Sequence, residues 1–297
     1  MIFNFIHDNL LYYCVMFIFS FILISVCHAK ETNEPPKIGN FALPPSQQPG
    51  PIIGFGQNIL DKNQAQLFLF ADDYLGVHKH FIDIIPAILY GITDNFSIFI
   101  NVPVAESYRT DKHKSSGLED AFIQLEYAFY TNTTTSFIDQ ATITSNITAP
   151  TGSVQKNPAT GTGSPSFFIG ATFNRTYVDW FFFTSPGITF TTAKNGTKFG
   201  NNYFYQFGLG KNITNLNGWM LAWMGEVDGT YAEQDRVRGM IDPNSGGNVI
   251  YVTPSLWAST KKFIFQLGAG YAAIQNLYGN QTRNTYLLST NFGWTID

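Results

Sequence analysis

Seven side chains stand out for the chemistry they could do together: Asp83, Asp120, Gln124, Glu126, Gln206, Glu226 and Asp228. Each falls on the polar side of a segment in which apolar and polar residues alternate. Carboxylates and amides gathered on one interior face, with few Lys or Arg among them, would favour cations in a wet passage. The same acids would equally serve as interior hydrogen-bond partners or pair with Arg109, Arg175, Arg236 and Arg238, which lie near segment ends. Both uses stay open at this stage. A slip of one residue in register would turn each of these side chains to the opposite face.

Other chemistry finds less support. His78, His80 and His113, with Asp72 and Asp73 nearby, match no metal-ligand spacing and read as solvated loop histidines. There is no Gly-x-Ser-x-Gly nucleophile elbow. Gly161-Thr162-Gly163 lacks the Lys and the helix of a phosphate loop. Both cysteines, Cys14 and Cys27, lie in the apolar run from Leu10 to Ala29, so a chain cleaved after Ala29 has no thiol. No catalytic residue, metal, cofactor or nucleic-acid partner is expected.

The elements that would position the interior side chains follow from composition and period. Of 297 residues, 44% are hydrophobic and 16% aromatic, but only 13% are charged, and the net charge is −4. Soluble domains carry about 25% charged residues. Mean hydropathy is nevertheless −0.02, which excludes a bundle of membrane helices. Few charges, many aromatics and average hydropathy suit strands with lipid on one side and water on the other. Residues 1–29 read as a secretory signal peptide, although no Lys or Arg precedes the apolar run. Residues 30–63 are rich in Pro and Gly, have no period, and read as a periplasmic arm or linker; a short plug is the alternative.

Residues 64–297 divide into about twelve period-two segments, near 65–71, 80–91, 95–108, 117–131, 137–150, 165–177, 180–193, 203–213, 219–232, 248–259, 263–274 and 284–296. Tight connections such as Thr93-Asp94-Asn95 alternate with long ones such as 232–248. That asymmetry belongs to an outer-membrane barrel, with short periplasmic turns and longer outer loops. Tyr127, Tyr130, Trp180, Trp219, Trp223 and Trp257 fall near segment ends, as interfacial girdles would. The last segment carries Tyr286, Leu288, Phe292, Trp294 and Ile296 on one face, a pattern that barrel-insertion machinery reads in bacterial barrels.

Three stretches also carry a family resemblance. "SGLEDAFIQLEYAF" (Ser116 to Phe129), "NITAPTGS" (Asn146 to Ser153) and "GTGSPSFFIGATF" (Gly161 to Phe173) resemble, in order and spacing, motifs of the outer-membrane family named for the MetA pathway of phenol degradation. Gly117, Asp120, Pro150, Thr151, Gly152, Gly161 and Gly163 carry the match, and the hairpin from Leu89 to Val104 extends it; Glu119 stands where the family has Gly. The resemblance implies an all-β transmembrane antiparallel barrel in the bacterial outer membrane, a passive channel or transporter helping small hydrophobic or aromatic compounds cross. It implies no enzyme. The alternative function is a surface-binding, adhesin-like or structural envelope barrel acting through its outer loops, chiefly Tyr231 to Asn248.

Overall fold

The protein's structure, a computed structural model, describes residues 34–56 and 59–296. The expected signal peptide, both cysteines and Asp297 lie outside the described residues. The first part of the barrel consists of β1 (Ala65–Gly76), β2 (Lys79–Thr93), β3 (Phe96–Asn101), β4 (Val104–Thr110), β5 (Lys114–Leu118), β6 (Phe122–Thr133), β7 (Phe137–Thr148), β8 (Ser166–Tyr177) and β9 (Trp180–Thr191). Two short strands follow, β10 (Ala193–Lys194) and β11 (Thr197–Lys198), then β12 (Asn202–Leu216) and β13 (Trp219–Ala232). The chain ends with β14 (Arg236–Val237), β15 (Met240–Ile241), β16 (Gly247–Ser259), β17 (Phe263–Leu277) and β18 (Asn284–Ile296).

β3 with β4, and β5 with β6, each make one interrupted wall strand, because β2 pairs with both β3 and β4. Twelve antiparallel strands result, and β1 pairs with β18, from Ala65 opposite Ile296 to Gly76 opposite Asn284. The barrel is therefore closed, and its wall leaves no unpaired edge toward lipid. β10, β11, β14 and β15 pair into a small second sheet that ties the 192–201 loop to the 233–246 loop.

Alternation sets the two faces. Leu267, Leu256, Ile169 and Phe207 project outward and are about half exposed, whereas Gln266, Ser255, Thr172 and Gln206, on the other parity, are buried. An apolar outer belt with polar residues inside is stable only with lipid outside. At one rim, where the turns are tight, the belt ends in Trp and Phe. Trp180 and Trp223 meet edge-on at 6.1 Å, Phe265 and Phe292 lie tilted to each other at 5.0 Å, and Lys211 lays its ammonium 5.0 Å over Trp180. The Arg175–Asp139 ion pair sits at this rim as well, with the guanidinium 4.3 Å over Phe137. At the other rim tyrosines reach to the loops: the Tyr203 hydroxyl donates to Glu233 (2.9 Å) and that of Tyr205 to Asn248 (2.7 Å). Trp257 departs from the girdle expectation. It is buried in the interior, where its indole N–H donates to Ser259 (2.9 Å), since it shares the parity of Ser255 and Ser259.

The tight turns have local causes. Asn217 and Gly218 both have positive φ, 52° and 81°, the backbone of a two-residue turn that matches strand twist. A closed barrel with this belt and these rims is built for the bacterial outer membrane, and that is where the chain resides.

Candidate functional site

The lumen is occupied by the chain's own N-terminal arm. Near the tight-turn rim, the Asn40 backbone N–H donates to Val178 O (2.7 Å) and its side chain to Tyr177 O (3.0 Å). Asn215 donates to Gly39 O (2.9 Å). Two single 3-10 turns, Gly39–Ala42 and Pro45–Gln47, carry the chain across the mouth. There Gln47 donates to the Thr295 hydroxyl (2.5 Å), and its own carbonyl accepts from Ser259 (2.7 Å).

The apex of the arm is held by a carboxylate. The N–H groups of Ile52, Ile53 and Gly54 all point at Glu226, at 2.8, 3.3 and 3.4 Å, and that of Phe55 at Gln206 Oε1 (3.3 Å). A Pro-rich segment cannot join a sheet, so its backbone donors need side-chain partners from the wall. The wall also makes room. Gly170 and Gly187 face each other across β8 and β9, and the Phe55 ring fills the space where their Cβ atoms would stand. By Leu60 the chain has returned to the rim, where its N–H donates to Ser97 Oγ (3.0 Å), and Asn63 N–H to Gly91 O (2.8 Å) leads into β1. The segment expected as a linker is thus threaded into the barrel.

Two levels of lumen follow. Below the apex, Leu60, Phe68, Leu89, Phe99, Phe181, Phe183, Met224, Trp257 and Ile264 make an apolar cluster. Beside it, between arm and wall, lies a cavity of about 380 Å³ lined by Phe68, Phe70, Phe99, Phe122 and Gln124 among others. Toward the loops lies a second cavity of about 380 Å³, lined mainly by apolar and aromatic side chains such as Tyr74, Phe81, Val249 and Tyr251, with Lys79 and Gln281 at its wall.

Six of the seven expected interior side chains, Asp83, Gln124, Glu126, Gln206, Glu226 and Asp228, are buried in the wall on the inward parity. Gln124 donates to Glu126 (2.7 Å) and accepts from Asn146 (3.3 Å). Asp120 differs because it falls in the break between β5 and β6, where strict alternation lapses. Its carboxylate accepts from Gly152 N–H (2.9 Å) and from both the N–H and the hydroxyl of Thr162 (2.7 Å each).

That contact gathers the motif residues into one clamp. Thr151 Oγ1 donates to Glu119 O (2.5 Å) and accepts from Ala121 N–H (2.9 Å). Gly152 and Gly161 lie back to back, so that a Cβ on either would strike the other's Cα at 2.7 Å. Gly163 has φ +77°, and Lys156 donates to Ser116 O beside Gly117. Pro150 lies in the stretch that leaves β7 for this loop.

Asp72 and Glu119 are interior carboxylates that sequence reasoning passed over. Asp72 lies opposite Asp83 and accepts from Ser289 (2.5 Å). Its signal was parity with Phe68 and Phe70, obscured by the neighbouring Asp73. The histidines pair separately: His78, in the turn before β2, with Asp111 (2.8 Å), and His80, which lies in β2 and not in a loop, with Asp73 (2.7 Å). Among the described residues no three His, Cys, Asp or Glu converge on one point.

The fold is similar to that of an outer membrane channel from Pseudomonas putida F1, with a TM-score of 0.64 and 14% identity over 82% of this chain and 100% of that one. The NanC porin gives 0.45 and 10%, over 78% and 99%. The β domain of the Bordetella autotransporter BrkA gives 0.41 and 10%, over 80% and 100%. No protein-family profile and no curated protein sequence matches the chain.

Proposed function

We propose that this barrel is a passive outer-membrane channel or transporter for small hydrophobic or aromatic compounds, related to the family named for the MetA pathway. It carries out no covalent chemistry and uses no cofactor. The observation that carries this reading is the lumen itself, with a cavity of about 380 Å³ beside the arm that mixes Phe rings with amide and hydroxyl side chains, and a mainly apolar one of the same size nearer the loops. A barrel with a purely structural role has no need of two chambers set around a threaded segment. The similarity of fold to the Pseudomonas channel supports the reading. The outward face of β18, with Tyr286, Leu288, Phe292, Trp294 and Ile296 exposed, would be what the insertion machinery reads.

The test is single-channel recording in planar bilayers of the full-length refolded protein, with swelling of liposomes in aromatic solutes. Small conductance and entry of those solutes are expected; no conductance at any voltage and no solute entry would sink the reading. A second reading, surface binding, draws on the small outer sheet that ties two loops into one platform. It predicts that antibodies to 233–246 block attachment of cells while conductance is unchanged.

A further inference from the structure

On the outside of the barrel, one row of cross-strand partners carries positive charge that no acid of the protein offsets. His80 shares the outward parity of Ile84 and Ile88 on β2, both exposed. It stands directly opposite Arg109 on β4, and Arg109 stands directly opposite Lys114 on β5. In the other direction His80 lies opposite Leu75 on β1, and Leu75 opposite Tyr286 on β18. Side chains directly opposite in a sheet share a face, so all five leave the wall on its lipid side. The row lies at the loop ends of these strands, where the apolar belt of Ile84, Ile88 and Leu118 gives way to polar groups. Tyrosine marks that level in outer-membrane barrels, beside the lipid headgroups.

Like charges directly opposite destabilise a strand pair, and the nearby acids are otherwise engaged or stand apart. Asp73 is paired with His80 (2.7 Å) and Asp111 with His78 (2.8 Å). Glu106, exposed at the bulge of β4, forms no ion pair among the described residues. Arg109 is nevertheless held in place: its Nε donates to Ser107 Oγ at 3.0 Å, and that serine is 3% exposed. The terminal amino groups of the guanidinium and the Lys114 ammonium have no hydrogen-bond partner among the described residues, and both side chains are exposed. A guanidinium fixed through Nε and open at its far end offers paired donors that match a phosphate. Lys112, in the turn between β4 and β5, adds a further positive charge.

Cations at headgroup level, directly above an apolar face, fit one kind of partner, an anionic lipid with its phosphate at the rim and its chains along the belt. We propose that this row binds a phosphorylated glycolipid of the outer leaflet, with Arg109 and Lys114 on its phosphate. Its acyl chains lie below, along Ile84, Val104 and Leu118, which are cross-strand neighbours on the same outer face. The site depends on the barrel's place in the outer membrane and not on what crosses the lumen.

The test is native mass spectrometry of the full-length refolded protein in detergent, with diphosphoryl lipid A, dioleoylglycerol and inorganic phosphate as probes. Lipid A is expected to bind saturably, and about tenfold more weakly to Arg109→Gln and to Lys114→Gln. Lys261→Gln, which removes an exposed charge at the tight-turn rim, should leave its affinity unchanged. Heat-modifiable mobility on gels certifies the folded barrel, and either loop-side variant carries the test if the other does not fold. Unchanged affinity in the folded variants, or an equal loss in Lys261→Gln, would overturn the proposal. So would equal binding of dioleoylglycerol, which would assign the contact to acyl chains alone. Displacement of lipid A by equimolar inorganic phosphate would overturn it too, by making the row a site for a free anion.

Discussion

The lumen's two levels are built from the same strands yet obey opposite rules. Near the tight-turn rim the inward positions of β1, β2, β3, β9 and β13 carry Phe68, Leu89, Phe99, Phe183 and Met224, and the arm closes over them as a core. One to three inward positions farther along the same faces stand Asp72, Asp83, Ser185 and Asp228, of which Asp83, Ser185 and Asp228 are buried. The first level resembles the interior of a soluble domain, in which apolar side chains pack on a covering segment. The second carries acids and hydroxyls on its inward positions and leaves a cavity near the loops. The difference teaches that the arm is part of the fold below its apex and a boundary above it, so that one segment sets both the core and the floor of the chamber.

Removing the arm should break the comparison most completely. Deletion of residues 34–56 leaves Phe68, Phe99 and Phe183 facing an open lumen, and conductance should rise about tenfold or more as the obstruction goes. Planar bilayers measure this directly; an unchanged conductance would mean that ions bypass the arm. A smaller effect follows from Glu226→Gln, which turns an amide NH₂ toward the N–H groups that a carboxylate oxygen now accepts. Loss of one charge-assisted bond and the opposition of like dipoles should weaken docking of the apex by about 2 kcal/mol. Hydrogen exchange at Ile52 and Gly54 would then quicken about thirtyfold, with Gly152 and Thr162 unaffected. Gly187→Val acts on the same docking from the wall, because its side chain needs the space of the Phe55 and Phe168 rings. About 1–3 kcal/mol is expected for such overpacking, read as protease sensitivity of the arm.

How much of this was legible in the sequence depends on whether a signal is local. Twelve wall strands were, because period two runs through the segments and tight connections alternate with longer ones over most of the chain, although β1 and β2 meet in a two-residue turn on the loop side. The inward parity of Asp83, Gln124, Glu126, Gln206, Glu226 and Asp228 followed from the same count. Asp120 escaped it because the wall strand breaks between Leu118 and Phe122, and parity does not carry across a break. Trp257 was misplaced by weighing its nearness to a strand end above its parity with Ser255 and Ser259. The position of the arm stays open in the sequence, between a linker and a short plug. Its partners Thr295, Glu226 and Gln206 lie 248, 174 and 151 residues away, and a Pro-rich stretch has no period to show which surface it will meet. The motif glycines were visible as a pattern, but their reason, two backbones touching under Asp120, exists only in three dimensions.

The mildest change bears on whether the two levels are independent. Asp120→Asn keeps one oxygen, so it retains either the Gly152 or the Thr162 contacts and sets an NH₂ group against the donors of the other. Leaving a half-exposed donor without its acceptor costs about 1 kcal/mol, so the 149–165 loop should open about fivefold more often. Exchange at Gly152 and Thr162 would report it. The clamp stands on the outer side of the β5–β6 break, and none of its bonds reaches the arm. Exchange at Ile52 and Gly54 and the conductance should therefore stay as they were. If the arm loosened too, the chamber would be transmitting strain from its outer clamp to its floor, and the two levels would have to be treated as one mechanical unit.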